Sequence, residues 1–131
     1  MTALKNYQMY IDGQWVDAED GDSFTSVNPA TGEEWARIPA ATAADVDRAV
    51  NAAHRAFTSG PWSTMLPTER GALLRNLAEL MKKHSEMLGR TETVDTGKLF
   101  TETRWQAAYL SNYYHYYAGL ADKVHGATLP I

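Results

Sequence analysis

Residues 27–57, "VNPATGEEWARIPAATAADVDRAVNAAHRAF", decide the fold, because the hydrophobic period changes within them from that of strands to that of helices. Near their start, residues 28–32 predict a turn, since proline fixes one backbone dihedral and glycine can adopt a positive φ. After Pro39, Thr42 is followed three residues later by Asp45, a pattern typical of a helix start. One face of that helix carries the apolar residues Val46, Ala49, Val50, Ala53 and Phe57. We expect an extended pair followed by an amphipathic helix.

A second extended pair precedes this stretch. Residues 7–16, "YQMYIDGQWV", are aromatic and β-branched around Asp12 and Gly13, a pair that favours a two-residue hairpin turn. The sequence therefore predicts two β-hairpins within residues 1–39.

Three more helices are predicted downstream. The first begins near Pro67 and carries Leu73, Leu74, Leu77, Leu80 and Met81 on one face. Ser85 is expected to cap the next, which ends at Gly97, and Thr101 to cap the last, which runs towards Gly126.

These patterns predict an α/β chain with two N-terminal β-hairpins and about four helices. A length of 131 residues suits a single segment, and no internal repeat or linker is visible. Its expected parts are the hairpins at 1–39, the helical part at 42–126 and the start of an extended tail at 127–131.

Composition narrows the class of protein. A 44% apolar content is typical of soluble globular chains, and a net charge of −4 provides no basic surface for nucleic acid or anionic membrane. With no membrane-length apolar run and no secretory signal pattern, we expect a cytoplasmic location. The absence of cysteine excludes disulfides, thiolate metal sites and a cysteine nucleophile in this chain.

Residues 91–98, "TETVDTGK", contain two candidate enzyme motifs. A phosphate-binding loop is excluded by spacing, because the glycine before Gly97 is Gly89 and Lys98 is not followed by serine or threonine. Asp95, Thr96 and Gly97 match the tripeptide of aspartic proteases, but such a loop follows an apolar strand and this segment is polar with a helical period. The pattern favours a helix end, and a dimeric protease remains an alternative.

Histidines and tyrosines give weaker indications. The four histidines show no spacing typical of a metal site. Five tyrosines fall within nine consecutive positions of the last helix, with only Arg104 and Lys123 as nearby cations: Tyr109, Tyr113, Tyr114, Tyr116 and Tyr117. A packed aromatic helix that lines an apolar pocket or interface is favoured over a nucleic-acid surface.

Several stretches, taken in order, resemble the amino-terminal part of the NAD(P)-dependent aldehyde dehydrogenase superfamily, including its betaine-aldehyde members. They are "MYIDGQWV", "VNPATGEEWARIPAATAADVDRAVNAAHRAF", "LPTERGALLRNLAELMKKHSEML", "ETVDTGK" and "YYAGLADKVHGATLP". The resemblance extends from Met9 to Pro130. It implies the start of an aldehyde dehydrogenase fold, without the dinucleotide-binding core and the catalytic domain.

The resemblance also implies a function for the longer parent protein. Family enzymes oxidise an aldehyde to a carboxylic acid with NAD or NADP, using a cysteine thiolate, oxyanion donors and a glutamate base. All three lie beyond the position of Ile131 in the family, so this chain is expected to contain no catalytic or cofactor-binding residue. We expect it to be inactive alone and to bind no cofactor, and the parent to be a homo-oligomer, a dimer or tetramer.

Two sets of residues match positions with family roles. The resemblance assigns the Ser26 and Val27 carbonyls and the Asp95 carboxylate to a structural Na⁺ or K⁺ site, with weak binding or none in the isolated chain. It places Trp105 and Tyr109 at the entrance of the aldehyde tunnel, where an aromatic lining would suit aromatic or betaine-type aldehydes.

A stand-alone helical scaffold or interaction module is the alternative. It should bury the apolar helix faces or dimerise through them, whereas a segment of a larger enzyme should leave them partly uncovered.

Overall fold

The computed structural model describes residues 4–127, and the sheets and helices confirm the α/β class. The strands are β1 (Lys5–Asn6), β2 (Met9–Ile11), β3 (Gln14–Val16), β4 (Ser23–Val27) and β5 (Glu34–Pro39). The helices are α1 (Ala43–Ser59), α2 (Pro61–Thr64), α3 (Pro67–Lys83), α4 (Ser85–Thr96) and α5 (Phe100–Leu120). None of the helices within residues 4–127 combines the length and hydropathy needed to cross a membrane. The predicted tail, beyond Ala127, lies outside the described residues.

Both predicted hairpins are present. β2 and β3 pair antiparallel, and their turn has positive φ at Asp12 (53°) and Gly13 (78°), as a primed two-residue turn requires. β4 and β5 also pair antiparallel. In their turn, the Asn28 carbonyl accepts the Gly32 N–H, and the Asn28 side chain accepts the Ala30 N–H.

The two-residue strand β1 was not predicted from the sequence. It pairs parallel with β5, which gives a three-stranded sheet in the order β1-β5-β4. Two residues are too few to show an alternating pattern, so no sequence period could indicate it. Within this sheet Ser26 faces Ala36 while Val27 faces Glu34, which leaves Trp35 as the extra residue of a β-bulge.

Two predicted helix caps are wrong. Ser85 is the first residue of α4 rather than its cap, and the N–H of Leu88 donates to the carbonyl of His84. Thr101 lies inside α5, whose cap is Leu99 and makes no side-chain hydrogen bond. After Gly97 (φ 75°) ends α4, the chain is already extended at Leu99, so α5 starts two residues earlier than a threonine cap would allow.

The last helix is also shorter than predicted. α5 ends at Leu120, where the Lys123 N–H donates to the Leu120 carbonyl and closes a turn. The predicted end near Gly126 is therefore wrong.

The described chain forms two compact units. The first comprises residues 4–63 and 92–98, and the second comprises residues 64–91 and 99–127. In the first, the buried residues are Ala18, Ala36 and Asp45. The ion pair between Arg55 and Asp12, 2.8 Å long, joins α1 to the β2–β3 turn.

Small residues bring the helices of the second unit together. α3 and α5 approach at Gly71, where an added Cβ would lie 2.8 Å from the Ala118 carbonyl oxygen. α4 and α5 approach at Gly89, and the buried Thr103 hydroxyl donates to the Gly89 carbonyl over 2.9 Å. The buried positions of these helices are Gly71, Ala78, Gly89, Thr103, Ala107, Ser111 and Ala118.

The predicted apolar faces exist, but most of their larger residues are exposed. Along α1, Val46, Val50 and Phe57 are more than half exposed, and along α3 the residues Leu73, Leu77 and Leu80 are exposed. The inward face of α3 instead carries its small residues, because only these allow the close backbone approach to α5.

Gly89→Ala should destabilise the chain by about 1–3 kcal/mol, the usual cost of overpacking. A Cβ there would lie 2.6 Å from the Arg104 amide nitrogen, and backbone cannot move aside as a flexible side chain can. The matched control is Gly119→Ala in α5, where nothing lies within 4 Å of an added Cβ. Urea unfolding monitored by circular dichroism measures both, and equal stabilities would contradict the close-approach argument.

Asp45 is a buried carboxylate that joins α1 to the segment after β3. It accepts the Thr42 N–H at 2.8 Å and the Glu19 N–H at 3.2 Å, and it pairs with Arg48. In return the Thr42 hydroxyl accepts the Asp45 N–H, completing the predicted capping box. The Thr42 N–H is the main cause that holds the pKa of Asp45 well below its usual range, aided by Glu19 and Arg48 and opposed by burial.

This depressed pKa predicts a specific loss of stability in acid. The contribution of ionised Asp45 should be fully present above its unfolded-state pKa of about 3.9 and fall as the pH drops further. Asp45→Asn should lower the melting temperature at pH 7 and flatten its dependence on pH below 4. Asp47→Asn, on the same helix and exposed, is the control. Parallel melting curves for wild type and Asp45→Asn across that range would contradict this assignment.

Candidate functional site

Asp95 lies in the last turn of α4 and contacts the β4 strand. The Ser26 hydroxyl donates to Asp95 Oδ1 over 2.6 Å, although the two residues are 69 positions apart in the chain. Gly97 ends the helix with a φ of 75°. The structure thus brings the Asp95 carboxylate to the side chain of Ser26, with Val27 next along the strand.

Trp35 completes this cluster. Its indole Nε1–H donates to Ser26 Oγ over 3.1 Å, and its ring packs edge-on against Tyr7 with centroids 5.9 Å apart. Because Trp35 is the bulge residue of β5, its side chain is displaced from strict strand alternation. Sequence analysis missed it, since a bulge leaves no signature in the strand pattern.

The donor set of the Asp95 cluster fits a hard monovalent cation. Its donors would be oxygens, and the end of a helix places backbone carbonyls and a partial negative charge beside the carboxylate. The neighbouring carboxylate of Glu92 is paired with Lys98 at 2.6 Å, whereas Asp95 is exposed with most of its lone pairs available. Within residues 4–127 no group of three or more His, Asp or Glu side chains could hold a metal. A cation here would need further oxygen ligands.

The position of Asp95 also bears on the protease alternative. An aspartic-protease loop would need Asp95 to follow an apolar strand, whereas the structure puts it in a helix. The helix-end interpretation of "VDTGK" is therefore confirmed.

The second candidate site is the aromatic face of α5. Trp105 and Tyr109 stack with centroids 4.8 Å apart, and Tyr109 meets Tyr113 edge-on at 5.6 Å. A shallow cavity of about 320 Å³ is lined by Tyr109, Asn112, Tyr113, Tyr116 and Tyr117.

The tyrosines were expected to pack and in part to line an apolar pocket or interface. Four of them line the cavity, but Tyr109, Tyr113, Tyr116 and Tyr117 are exposed, as is Trp105. The helix turns its small residues inward, so the aromatic rings point away from the unit's core. Their spacing in the sequence indicated a shared surface without showing which side would be buried.

Sequence comparisons agree with this architecture. The sequence model of the aldehyde dehydrogenase family matches residues 15–131. The chain is 47% identical to a (Z)-2-((N-methylformamido)methylene)-5-hydroxybutyrolactone dehydrogenase of Acinetobacter baylyi, over 98% of this chain and 26% of that protein. It is 42% identical to the mitochondrial 10-formyltetrahydrofolate dehydrogenase of Mus musculus, over 100% of this chain and 14% of that protein.

Solved structures give the same result. An NAD-dependent aldehyde dehydrogenase from Sinorhizobium meliloti superposes with a TM-score of 0.90 at 35% identity, over 95% of this chain and 25% of that one. The NAD⁺ complex of an aldehyde dehydrogenase from Bacillus cereus also gives 0.90, at 38% identity over 97% of this chain and 26% of that one. The chain thus spans about a quarter of the length of these enzymes. It belongs to the aldehyde dehydrogenase family and corresponds to the family's N-terminal segment.

Proposed function

We propose that this chain is the N-terminal portion of an oxidoreductase that oxidises an aldehyde to a carboxylic acid with NAD(P)⁺, and that it is inactive alone. The observation that carries the proposal is the exposure of its apolar helix faces, together with a core made of small residues. Family membership supplies the reaction class.

The core within residues 4–127 is unusual for a self-sufficient domain. Its buried apolar residues are all alanines, and the largest fully buried side chains are those of Thr103 and Asp45. Globular domains normally bury leucine, isoleucine, valine and phenylalanine. Here Phe57 is 81% exposed, and each unit presents further exposed leucine, valine or aromatic residues. So many large apolar residues exposed in each unit favour a segment covered by more polypeptide.

The chemical groups of the reaction are expected in that additional polypeptide. Bound NAD(P)⁺ would supply the hydride acceptor, and the family's nucleophile is a cysteine, which this chain lacks. The proposed contributions of this chain are packing, a cation site and part of the substrate entrance. The parent is proposed to be a homo-oligomer, a dimer or tetramer, as the family resemblance implies, and its cytoplasmic location is proposed from the sequence pattern.

We assign the cation site to the carbonyls of Ser26 and Val27 and the carboxylate of Asp95, with Na⁺ or K⁺ as the ion. The 2.6 Å contact between Ser26 and Asp95 supports this assignment, because it brings the carboxylate to the strand that carries the two carbonyls. A cation here would tie the end of α4 to β4 without taking part in the chemistry.

We assign Trp105 and Tyr109 to the substrate entrance. Their stacked, exposed rings on α5 would offer an aromatic surface to an incoming aldehyde. A matched structure, the betaine aldehyde dehydrogenase from Staphylococcus aureus, is 38% identical with a TM-score of 0.87. Together with the aromatic rings of α5, this match supports our proposal that the parent's substrate is a betaine-type or aromatic aldehyde.

The first test is formation of reduced nicotinamide. The purified chain, with NAD⁺ or NADP⁺ and aliphatic, aromatic and betaine aldehydes, should give none, because it has no thiol nucleophile. A chimera in which it replaces the corresponding quarter of the Bacillus cereus enzyme should turn over aldehyde.

Two results would contradict the proposal. One is turnover that co-purifies with the intact 14.6 kDa chain. The other is a soluble, folded chimera with no activity beside an active Bacillus cereus control. Sedimentation of the isolated chain tests the scaffold alternative, which expects the apolar faces to be buried within the chain or in a dimer. Because they are exposed in the single chain, this alternative now requires a discrete dimer.

In the chimera, Trp105→Ala should raise KM for a betaine-type or aromatic aldehyde by about threefold to tenfold. This factor corresponds to the free energy of an aromatic contact that is exposed or partly desolvated. KM for NAD⁺ should stay the same. Trp15→Ala is the matched control, since Trp15 is 67% exposed on β3. An unchanged aldehyde KM in Trp105→Ala would remove Trp105 from the substrate entrance.

A further inference from the structure

Three side chains of the first unit form a continuous hydrogen-bonded chain from the sheet to α4. The Trp35 indole donates to Ser26 Oγ at 3.1 Å, and the Ser26 hydroxyl donates to Asp95 Oδ1 at 2.6 Å. A serine hydroxyl has one proton to donate and lone pairs to accept with. Because the Trp35 N–H donates to a lone pair of Ser26 Oγ, the hydroxyl proton of Ser26 is directed towards Asp95.

Trp35 is itself held in place by groups that are independent of Asp95. The bulge in β5 fixes its backbone, and Tyr7 packs edge-on against its ring at 77°. The indole has a single donor and no acceptor, so its N–H is fully committed to Ser26. The donor end of the chain is therefore rigid, and the carboxylate end is exposed.

We propose that Trp35 is a positioning residue for the Asp95 carboxylate, acting through Ser26, and that it orients this carboxylate for the cation. The proposal rests on the cation site assigned above. One carboxylate oxygen is held by the hydroxyl, while the remaining lone pairs stay free for the ion. Holding a ligand in its bound orientation lowers the ordering cost of binding.

Hydrogen bonds in series also strengthen one another. Donation from the indole polarises the Ser26 O–H and makes it a better donor to the carboxylate. Loss of Trp35 should therefore weaken the hold on Asp95 even though the two side chains share no direct hydrogen bond. A tryptophan that served only to pack against Tyr7 would show no such dependence.

The first step of the test detects the chain of hydrogen bonds in the isolated protein by indole ¹⁵N–¹H NMR. The sequence has four tryptophans, and the Trp35 signal is the one lost in Trp35→Phe. Asp95→Asn and Ser26→Ala should each shift the Trp35 indole signal and leave that of Trp15 in place. Ser26→Thr keeps a hydroxyl and should retain the wild-type position more closely than Ser26→Ala.

The second step measures cation dependence in the active chimera, where the remaining ligands are supplied. Melting temperature is followed against NaCl or KCl, with choline chloride keeping the ionic strength constant. Trp35→Phe should raise the cation concentration for half-maximal stabilisation by about threefold to tenfold, the factor that corresponds to one ordinary hydrogen bond. Trp15→Phe should leave it unchanged, and Asp95→Asn should abolish the effect.

The outcomes separate the two proposals. A Trp35 indole signal that stays in place in both Asp95→Asn and Ser26→Ala overturns the positioning role. The positioning role is also overturned if Trp35→Phe responds to the cation as the wild type does while Asp95→Asn abolishes the response. In that case the cation site itself is supported. A response that Asp95→Asn leaves intact, or no response in wild type, refutes the cation site and this inference with it. Activity of the chimera tests the proposed family function independently of both proposals.

Discussion

The close approach of helix backbones at small residues is the constraint on which the second unit depends. Gly89 admits the backbone of Arg104, and Gly71 admits that of Ala118, at distances that leave no room for a β-carbon. Once α5 presents its small residues inward, its aromatic rings have to face outward. The exposed tyrosine face is thus a consequence of helix packing, and the same geometry that makes the core small makes the surface apolar.

Local features of this fold could be predicted from the sequence, and features set by distant residues could not. The Asp12–Gly13 turn and the Thr42–Asp45 capping box depend on neighbours within a few positions, and both were predicted correctly. The buried side of a helix depends on its partner, so the sequence identified the leucine face of α3 but could not show that α5 packs against the small residues of α3 instead. The caps assigned to Ser85 and Thr101 failed for a related reason, because the end of the preceding helix already fixed the next start.

The candidate cation site shows the same division. Resemblance to the family indicated Ser26 and Asp95, and the structure brings them together across 69 positions. Trp35 could not be found this way, since its role follows from a bulge and a contact with Tyr7.

Two aspartates illustrate the difference between a carboxylate that stabilises the fold and one that is available to bind a ligand. Asp45 is buried with its oxygens engaged by backbone and arginine donors, whereas Asp95 is exposed and accepts the Ser26 hydroxyl.

The alanine-lined core also has a consequence for biosynthesis. In an aldehyde dehydrogenase that carries this segment ahead of its other three quarters, those later residues follow at roughly 5–20 residues per second and take tens of seconds to appear. Throughout that interval the nascent chain displays Phe57 and the α5 rings with nothing to cover them. Exposed apolar surface of this kind makes a nascent chain prone to aggregate, so we expect such a segment to need chaperones until later residues cover it.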